Sequence, residues 1–178
     1  MRLGLMGGTF DPIHEGHIAV AEAALACGID RVEFVPARQP PHKDRPDIAD
    51  PFHRHAMAAL STQGHPRLGV SAWELSREGP SWTIDTVRHF SLPGQLLVLV
   101  MGTDSLVEIE SWREHQEILT LAGVIAYPRH GIAVAELTAR LPAWLSAMIR
   151  PARAAAPEPG TIVCLGAREK DLSSREIR

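Results

Sequence analysis

Two adjacent glycines, Gly7 and Gly8, end a short apolar run over residues 3–6, and helix-forming residues 18–26 continue until Gly28. Residues 32–35 are β-rich again. Strand, glycine turn, helix and strand in that order form a βαβ unit, whose crossover of a dozen or more residues makes its two strands parallel. A parallel sheet is covered by helices on both faces, so this one segment restricts the chain to α/β architectures.

The rest of the chain keeps the alternation. Residues 36–51 hold five prolines and many charges and read as a long surface loop, of a kind that often serves function. A helix is expected over 52–63, closed by Gly64, and then a β-like stretch from 68–70 towards Trp73 and Leu75. Glu78-Gly79-Pro80-Ser81 is a turn, after which Thr83 caps a helix to Phe90 with Asp85 in its first turn. Residues 96–101 (LLVLVM) are the most continuous apolar run and read as a central parallel strand, ended by Gly102-Thr103-Asp104-Ser105. A helix over 114–121, a strand over 124–127 and a turn over 128–131 follow. The Ala- and Pro-rich stretch 142–160 reads as a helix and a loop, and 161–165 as the last strand. Ser173 and Ser174 cap a final helix of less than two turns, so the natural chain is expected to run on past Arg178.

Composition narrows the partners. A chain of 178 residues, 45% hydrophobic, buries roughly 70% of its unfolded surface as one domain without help from disulfides or a structural metal. A net charge of −3 leaves no broad footprint for nucleic acid or an anionic membrane, and small-molecule partners are expected. No apolar run approaches the roughly 20 residues of a bilayer span, and with a single Arg before a short apolar run no signal peptide is expected. Cys27 and Cys164, each among apolar neighbours, read as core thiols in a reducing cytoplasm.

The first turn reads Gly7-Gly8-Thr9-Phe10-Asp11-Pro12-Ile13-His14-Glu15-Gly16-His17. In a parallel sheet ligands bind beyond the carboxyl ends of the strands, where glycines let backbone N–H groups approach a phosphate. The turn is neither a P-loop nor a G-x-G-x-x-G dinucleotide fingerprint. His14 and His17, three residues apart, share one side of a helix opening and suit donation to a phosphoryl group. Solvent exposure or helix capping is the other reading of the pair, whereas zinc would need further ligands that do not stand at suitable spacing. Asp104 is placed either to accept from a ribose or to cap a helix.

The segment GGTFDPIHEGH resembles the signature of the HxGH nucleotidylyltransferase superfamily, whose members join a nucleotide to a phosphate and release pyrophosphate. That resemblance implies an α/β fold with a Rossmann-like, doubly wound parallel sheet, here as a single nucleotidylyltransferase domain over 1–178. Gly79-Pro80-Ser81-Trp82-Thr83-Ile84-Asp85-Thr86 resembles the P-S-[YW]-T-x-D-T segment of bacterial nicotinate mononucleotide adenylyltransferases, and Trp112 after the 102–105 turn fits the same family. Leu172-Ser173-Ser174-Arg175-Glu176-Ile177-Arg178 is similar to its I-S-S-T-x-I-R, with Arg175 in the place of the Thr.

The resemblance implies ATP and nicotinate mononucleotide as substrates, nicotinate adenine dinucleotide and pyrophosphate as products, and Mg²⁺ accompanying ATP with no protein ligand assigned to it. It further implies roles for single residues. Gly7, Gly8, Thr9 and Phe10 line the ATP phosphates, His14 and His17 donate to them, and Gly102 and Asp104 meet the ribose. Lys43 reaches either substrate's phosphates as a mobile charge, or is a solvated loop lysine. Ser173, Ser174 and Arg178 form a phosphate site at 172–178. The nicotinate side falls to Trp82, Thr83, Trp112 and Arg113, with Arg129 meeting the acceptor's carboxylate or phosphate. Trp112 has ordinary packing as its alternative. Phosphopantetheine or nicotinamide mononucleotide as acceptor, and a non-catalytic nucleotide-binding protein, are the competing readings. Self-association is left open.

Overall fold

The computed structural model describes residues 1–41, 47–128, 134–152 and 155–166. In chain order its elements are β1 (Arg2–Gly8), α1 (Glu15–Ala26), β2 (Arg31–Pro36), α2 (Pro51–Ser61), β3 (Leu68–Val70), α3 (Thr83–Phe90), β4 (Leu96–Gly102), α4 (Thr103–Val107) and α5 (His115–Leu121). They continue with β5 (Gly123–Tyr127), α6 (Val134–Arg140), α7 (Ala143–Ser146), β6 (Ile149–Arg150) and β7 (Ile162–Cys164).

Successive side chains of a strand point to opposite faces, and β4 shows what that does here. Leu97, Leu99 and Met101 enter one core with Ile84 and Val87 of α3, Leu106 of α4, Ile118 and Leu119 of α5 and Leu137 of α6. Val98 and Val100 enter the other, with Ala21, Ala24 and Leu25 of α1 and Ala58 of α2. An apolar run with no polar alternation is thus explained by helices on both faces.

The sheet has the order β3-β2-β1-β4-β5-β7-β6, and every pairing is parallel. This is the Rossmann-like, doubly wound α/β fold. The order reverses between β1 and β4, and that switch point opens a crevice at the carboxyl ends of the two strands.

Several local readings change. Asp50 accepts from the Phe52 N–H at 2.8 Å and caps α2, so the helix starts at Pro51, inside the stretch read as loop. The chain after β3 forms a 3₁₀ turn at Glu74–Ser76 instead of extending to Leu75. Trp82, not Thr83, is the N-cap of α3, through its carbonyl, which accepts from Asp85. Glu114 is the N-cap of α5 with φ +55. Helices α4 and α6 and strand β6 add elements for which periodicity gave no signal, being at most seven residues long. Cys27 and Cys164 are half-buried at the core edges instead of inside, and burial still pushes both thiols up. Among the described residues no helix is long and apolar enough to cross a membrane.

Candidate active site

β1 and β4 are in register with Leu5 opposite Leu99, and both run on to a glycine, Gly8 and Gly102. The turn after β1 is tight and strained. Phe10 has φ +48, a left-handed conformation that costs a non-glycine residue on the order of 1–3 kcal/mol unless its surroundings hold it. They do hold it. The ring, 3% exposed, stands edge-on to Phe34 at 5.5 Å and to His17 at 5.0 Å. It also lies over Gly8, where a Cβ would meet Phe10 Cζ at 3.0 Å, while a Cβ on Gly7 would meet nothing. Packing is therefore tight at Gly8, whereas Gly7 leaves open space.

His14 is the N-cap of α1 and His17 its third residue. The His14 N–H donates to His17 Nδ1 at 3.2 Å, and the two rings lie 3.8 Å apart at 34°. An imidazole that accepts at Nδ1 in its neutral form carries its proton on Nε2. His17 is thus fixed as an Nε2–H donor, and a helix N-terminus, which favours anions, lies beneath the pair. Capping was the alternative to phosphate binding for these histidines. Here the cap sets the tautomer that phosphate donation requires.

Sequence reasoning missed the residue that holds this turn from behind. Arg54 of α2 is 0% exposed, and its guanidinium donates to four backbone carbonyls. These are Thr9 at 2.5 Å, Ala37 at 2.7 Å, Ala49 at 2.9 Å and Arg38 at 3.4 Å. Burial pulls the guanidinium below its ordinary value, and the charges of Asp11 and Asp50 oppose that, so it stays a cation. The legible signal was an Arg four residues before Ala58, on the face of α2 that must be apolar.

Beyond β4, Asp104 is the second residue of α4, whose N-cap is Gly102, so it does not serve as the cap. It is half-buried at the switch point, with Gly102 two residues before it.

On the face that α3 shares with α4, Trp82 and Thr83 open α3, and the Arg113 guanidinium lies 5.8 Å from the Trp82 ring centre. Trp82 and Trp112 are half-buried and pack on the same core, so Trp82, Thr83, Trp112 and Arg113 come together. This group is tied to the chain after β2. The Ser81 Oγ accepts from the N–H groups of Arg38 at 3.0 Å and Gln39 at 3.4 Å, and the Ser81 N–H donates to the Gln39 carbonyl at 2.9 Å. The Arg38 guanidinium donates in turn to the carbonyls of Leu75 and Arg77.

Glu74, 7% exposed and likewise missed, sits under that tie. Thr86 Oγ1 donates to Glu74 Oε1 at 2.5 Å, and the Ser81 side chain also hydrogen-bonds the carboxylate. Burial pushes Glu74 above the ordinary carboxyl range, and the two hydroxyls and Arg77 oppose that while Asp85 adds to it. No periodic pattern marked a buried acid in a 3₁₀ turn. Lys43, Arg129, Ser173, Ser174 and Arg178 lie outside the described residues. Among the described residues there is no cluster of three or more His, Cys, Asp or Glu able to hold a metal ion.

The sequence model of the cytidylyltransferase-like family matches residues 5–178. A relative in Tropheryma whipplei (strain Twist) named as a probable nicotinate-nucleotide adenylyltransferase is 42% identical over 135 residues, 74% of this chain and 72% of its own. Relatives of the same name in Thermoanaerobacter sp. (strain X514) and Symbiobacterium thermophilum are 42% and 41% identical, over 74% and 84% of this chain and 64% and 74% of theirs. Among solved structures, Plasmodium falciparum nicotinic acid mononucleotide adenylyltransferase complexed with NaAD superposes with a TM-score of 0.70 at 17% identity. That superposition covers 98% of this chain and 81% of the other, and it speaks for the shared fold.

Proposed function

The chain belongs to the cytidylyltransferase-like family, and from that footing we infer that it is a nicotinate-nucleotide adenylyltransferase, joining ATP and nicotinate mononucleotide to give nicotinate adenine dinucleotide and pyrophosphate. The observation that carries this reading is a strained turn with a capped histidine pair, set at the β1/β4 switch point of a chain 42% identical to relatives of that name. The enzyme acts in the cytoplasm, in NAD synthesis.

In the reaction a phosphate oxygen of the mononucleotide forms a bond to the α-phosphorus of ATP. The bond from that phosphorus to the oxygen bridging to the β-phosphate breaks, and its electron pair leaves with pyrophosphate. No covalent enzyme intermediate is needed, so the protein's work is to hold two anions in line and balance charge on the transferring group. Mg²⁺ brought with ATP would offset phosphate charge, and no residue of the chain is assigned to hold it.

His17 donates from Nε2 to the transferring phosphate, and His14 stands beside it. Gly7, Gly8, Thr9 and Phe10 supply backbone, and Gly102 and Asp104 receive the ribose. Trp82, Thr83, Trp112 and Arg113 take the acceptor's ring end. Lys43 and Arg129 supply charge to the acceptor, Lys43 to the ATP phosphates as well, and Ser173, Ser174 and Arg178 hold phosphate at the carboxyl end of the chain. What supports these roles is the motif match and, for the turn residues, His14, His17, Gly102 and Asp104, their place beyond the carboxyl ends of the central strands β1 and β4.

The test is pyrophosphate release from MgATP with nicotinate mononucleotide, nicotinamide mononucleotide and phosphopantetheine offered in parallel. Turnover with the first, well above the other two, is expected. Preference for another acceptor would overturn the roles of Thr83 and Trp112, and ATP binding without turnover would leave a nucleotide-binding protein.

A further inference from the structure

Arg54 has no place in the reaction as written, yet it is a fully buried cation facing the back of the turn where ATP is received. We propose that Arg54 is the positioning residue of the ATP half of the site, acting through the Thr9 carbonyl. This rests on the adenylyl-transfer reading above.

The argument begins with the peptide plane. In a trans peptide the C=O and N–H point in opposite directions, so a guanidinium that holds the Thr9 carbonyl at 2.5 Å also aims the Phe10 N–H away from α2. That N–H belongs to the residue with φ +48, whose conformation persists only where several contacts over-determine it. The Phe10 ring is fixed from one side by Phe34, His17 and Gly8, and the backbone is fixed from the other by Arg54. Because Phe10 meets the His17 ring at 5.0 Å, slack in the turn reaches the imidazole as well.

The same guanidinium fastens Ala37, Arg38 and Ala49, both ends of the proline-rich segment, to the turn. A planar fork with five N–H donors can serve four carbonyls from one position, and a lysine ammonium with three cannot. Glu74 provides the control. It is also buried, but its partners Thr86 and Ser81 belong to the acceptor half.

The experiment is steady-state kinetics of the full chain as wild type, Arg54→Lys, Arg54→Met and Glu74→Gln, with ATP binding by calorimetry and thermal melts alongside. Displacements of about 1 Å in a positioned group cost on the order of a hundredfold, so Arg54→Lys is expected to lower kcat/KM for ATP tenfold to a hundredfold and to weaken ATP binding. Its KM for nicotinate mononucleotide is expected to stay within about twofold, and Glu74→Gln is expected to show the reverse split. Arg54→Met is expected to be worse than Arg54→Lys in the same constants, and if it fails to fold, Arg54→Lys decides.

A folded Arg54 variant with a lower melting temperature but ATP constants within about twofold of wild type would overturn the proposal, because Arg54 would then be structural only. Equal changes in both KM values would overturn it too. A wild type without turnover defeats the adenylyl-transfer reading, while the ATP affinities of the variants still decide the role of Arg54.

Discussion

The turn after β1 and the segment over 79–86 lie on opposite faces of one sheet, and each rests on a single buried ionisable side chain. The two anchors differ in chemistry. Arg54 holds backbone carbonyls, which every sequence supplies, with a charge that no physiological pH removes. Glu74 holds two side-chain hydroxyls, Thr86 and Ser81, with a charge that burial works against. A permanent cation thus sets the backbone of the turn proposed to meet the nucleotide phosphates. A titratable acid sets the segment proposed to receive the acceptor. The two meet at residues 37–39, where Arg54 grips Ala37 and Arg38 and Ser81 grips Arg38 and Gln39.

Substitutions can break this contrast in graded ways. The largest effect is expected on the nucleotide side, where His17→Ala removes the Nε2–H donor and should lower kcat by a hundredfold to a thousandfold or more with the fold retained. Near-normal turnover in that variant, measured as pyrophosphate release, would take His17 out of the reaction. Next, Glu74→Ala leaves buried hydroxyls without their acceptor and should cost about 1–3 kcal/mol in denaturant unfolding, while KM for the acceptor rises and KM for ATP holds. Matching changes in both constants would erase the division into halves.

Gly8→Ala is milder. The new Cβ lies 3.0 Å from Phe10 Cζ, so the ring must give by a few tenths of an ångström, and a cost of about 1 kcal/mol with a several-fold higher KM for ATP is expected. Gly7→Ala meets nothing and should leave stability alone. A melt that ranks the two the other way would contradict the packing described for the turn.

The smallest effect is one of pH. The carboxyl of Glu74 in the fold lies above its ordinary value of 4.5, so the native state holds a proton that the unfolded chain has already lost. Stability therefore falls as pH rises from that ordinary value through the raised one, because the charged form is the one burial disfavours. Glu74→Gln, which does not titrate, should flatten that decline in melts taken across the window. An unchanged slope would mean that Glu74 keeps its ordinary protonation in the fold.

How much of this was legible in the sequence follows the range of the forces involved. The β1 turn, α1 and β4 were readable because glycine conformation, helix propensity and an unbroken apolar run act over a few neighbouring residues. The His14–His17 pair was readable as a pair for the same reason. Its tautomer was not, because that depends on a hydrogen bond from the His14 N–H that only the capped geometry makes. Helices α4 and α6 are too short to carry a period. Arg54 and Glu74 escaped because partners such as Thr9 and Thr86 stand 45 and 12 residues away along the chain. A buried charge looks like a surface charge until its partners are known. Arg54 alone left a trace, as a cation on the apolar stripe of α2.

The central claim is that the crevice between β1 and β4 transfers an adenylyl group to nicotinate mononucleotide, and the most direct test is mass balance. The full chain would be given MgATP with and without nicotinate mononucleotide, and nicotinate adenine dinucleotide and pyrophosphate would be quantified together. One dinucleotide for each pyrophosphate, and neither without the acceptor, is the predicted result. Pyrophosphate or inorganic phosphate released without the acceptor, or no dinucleotide when both substrates are bound, would contradict it.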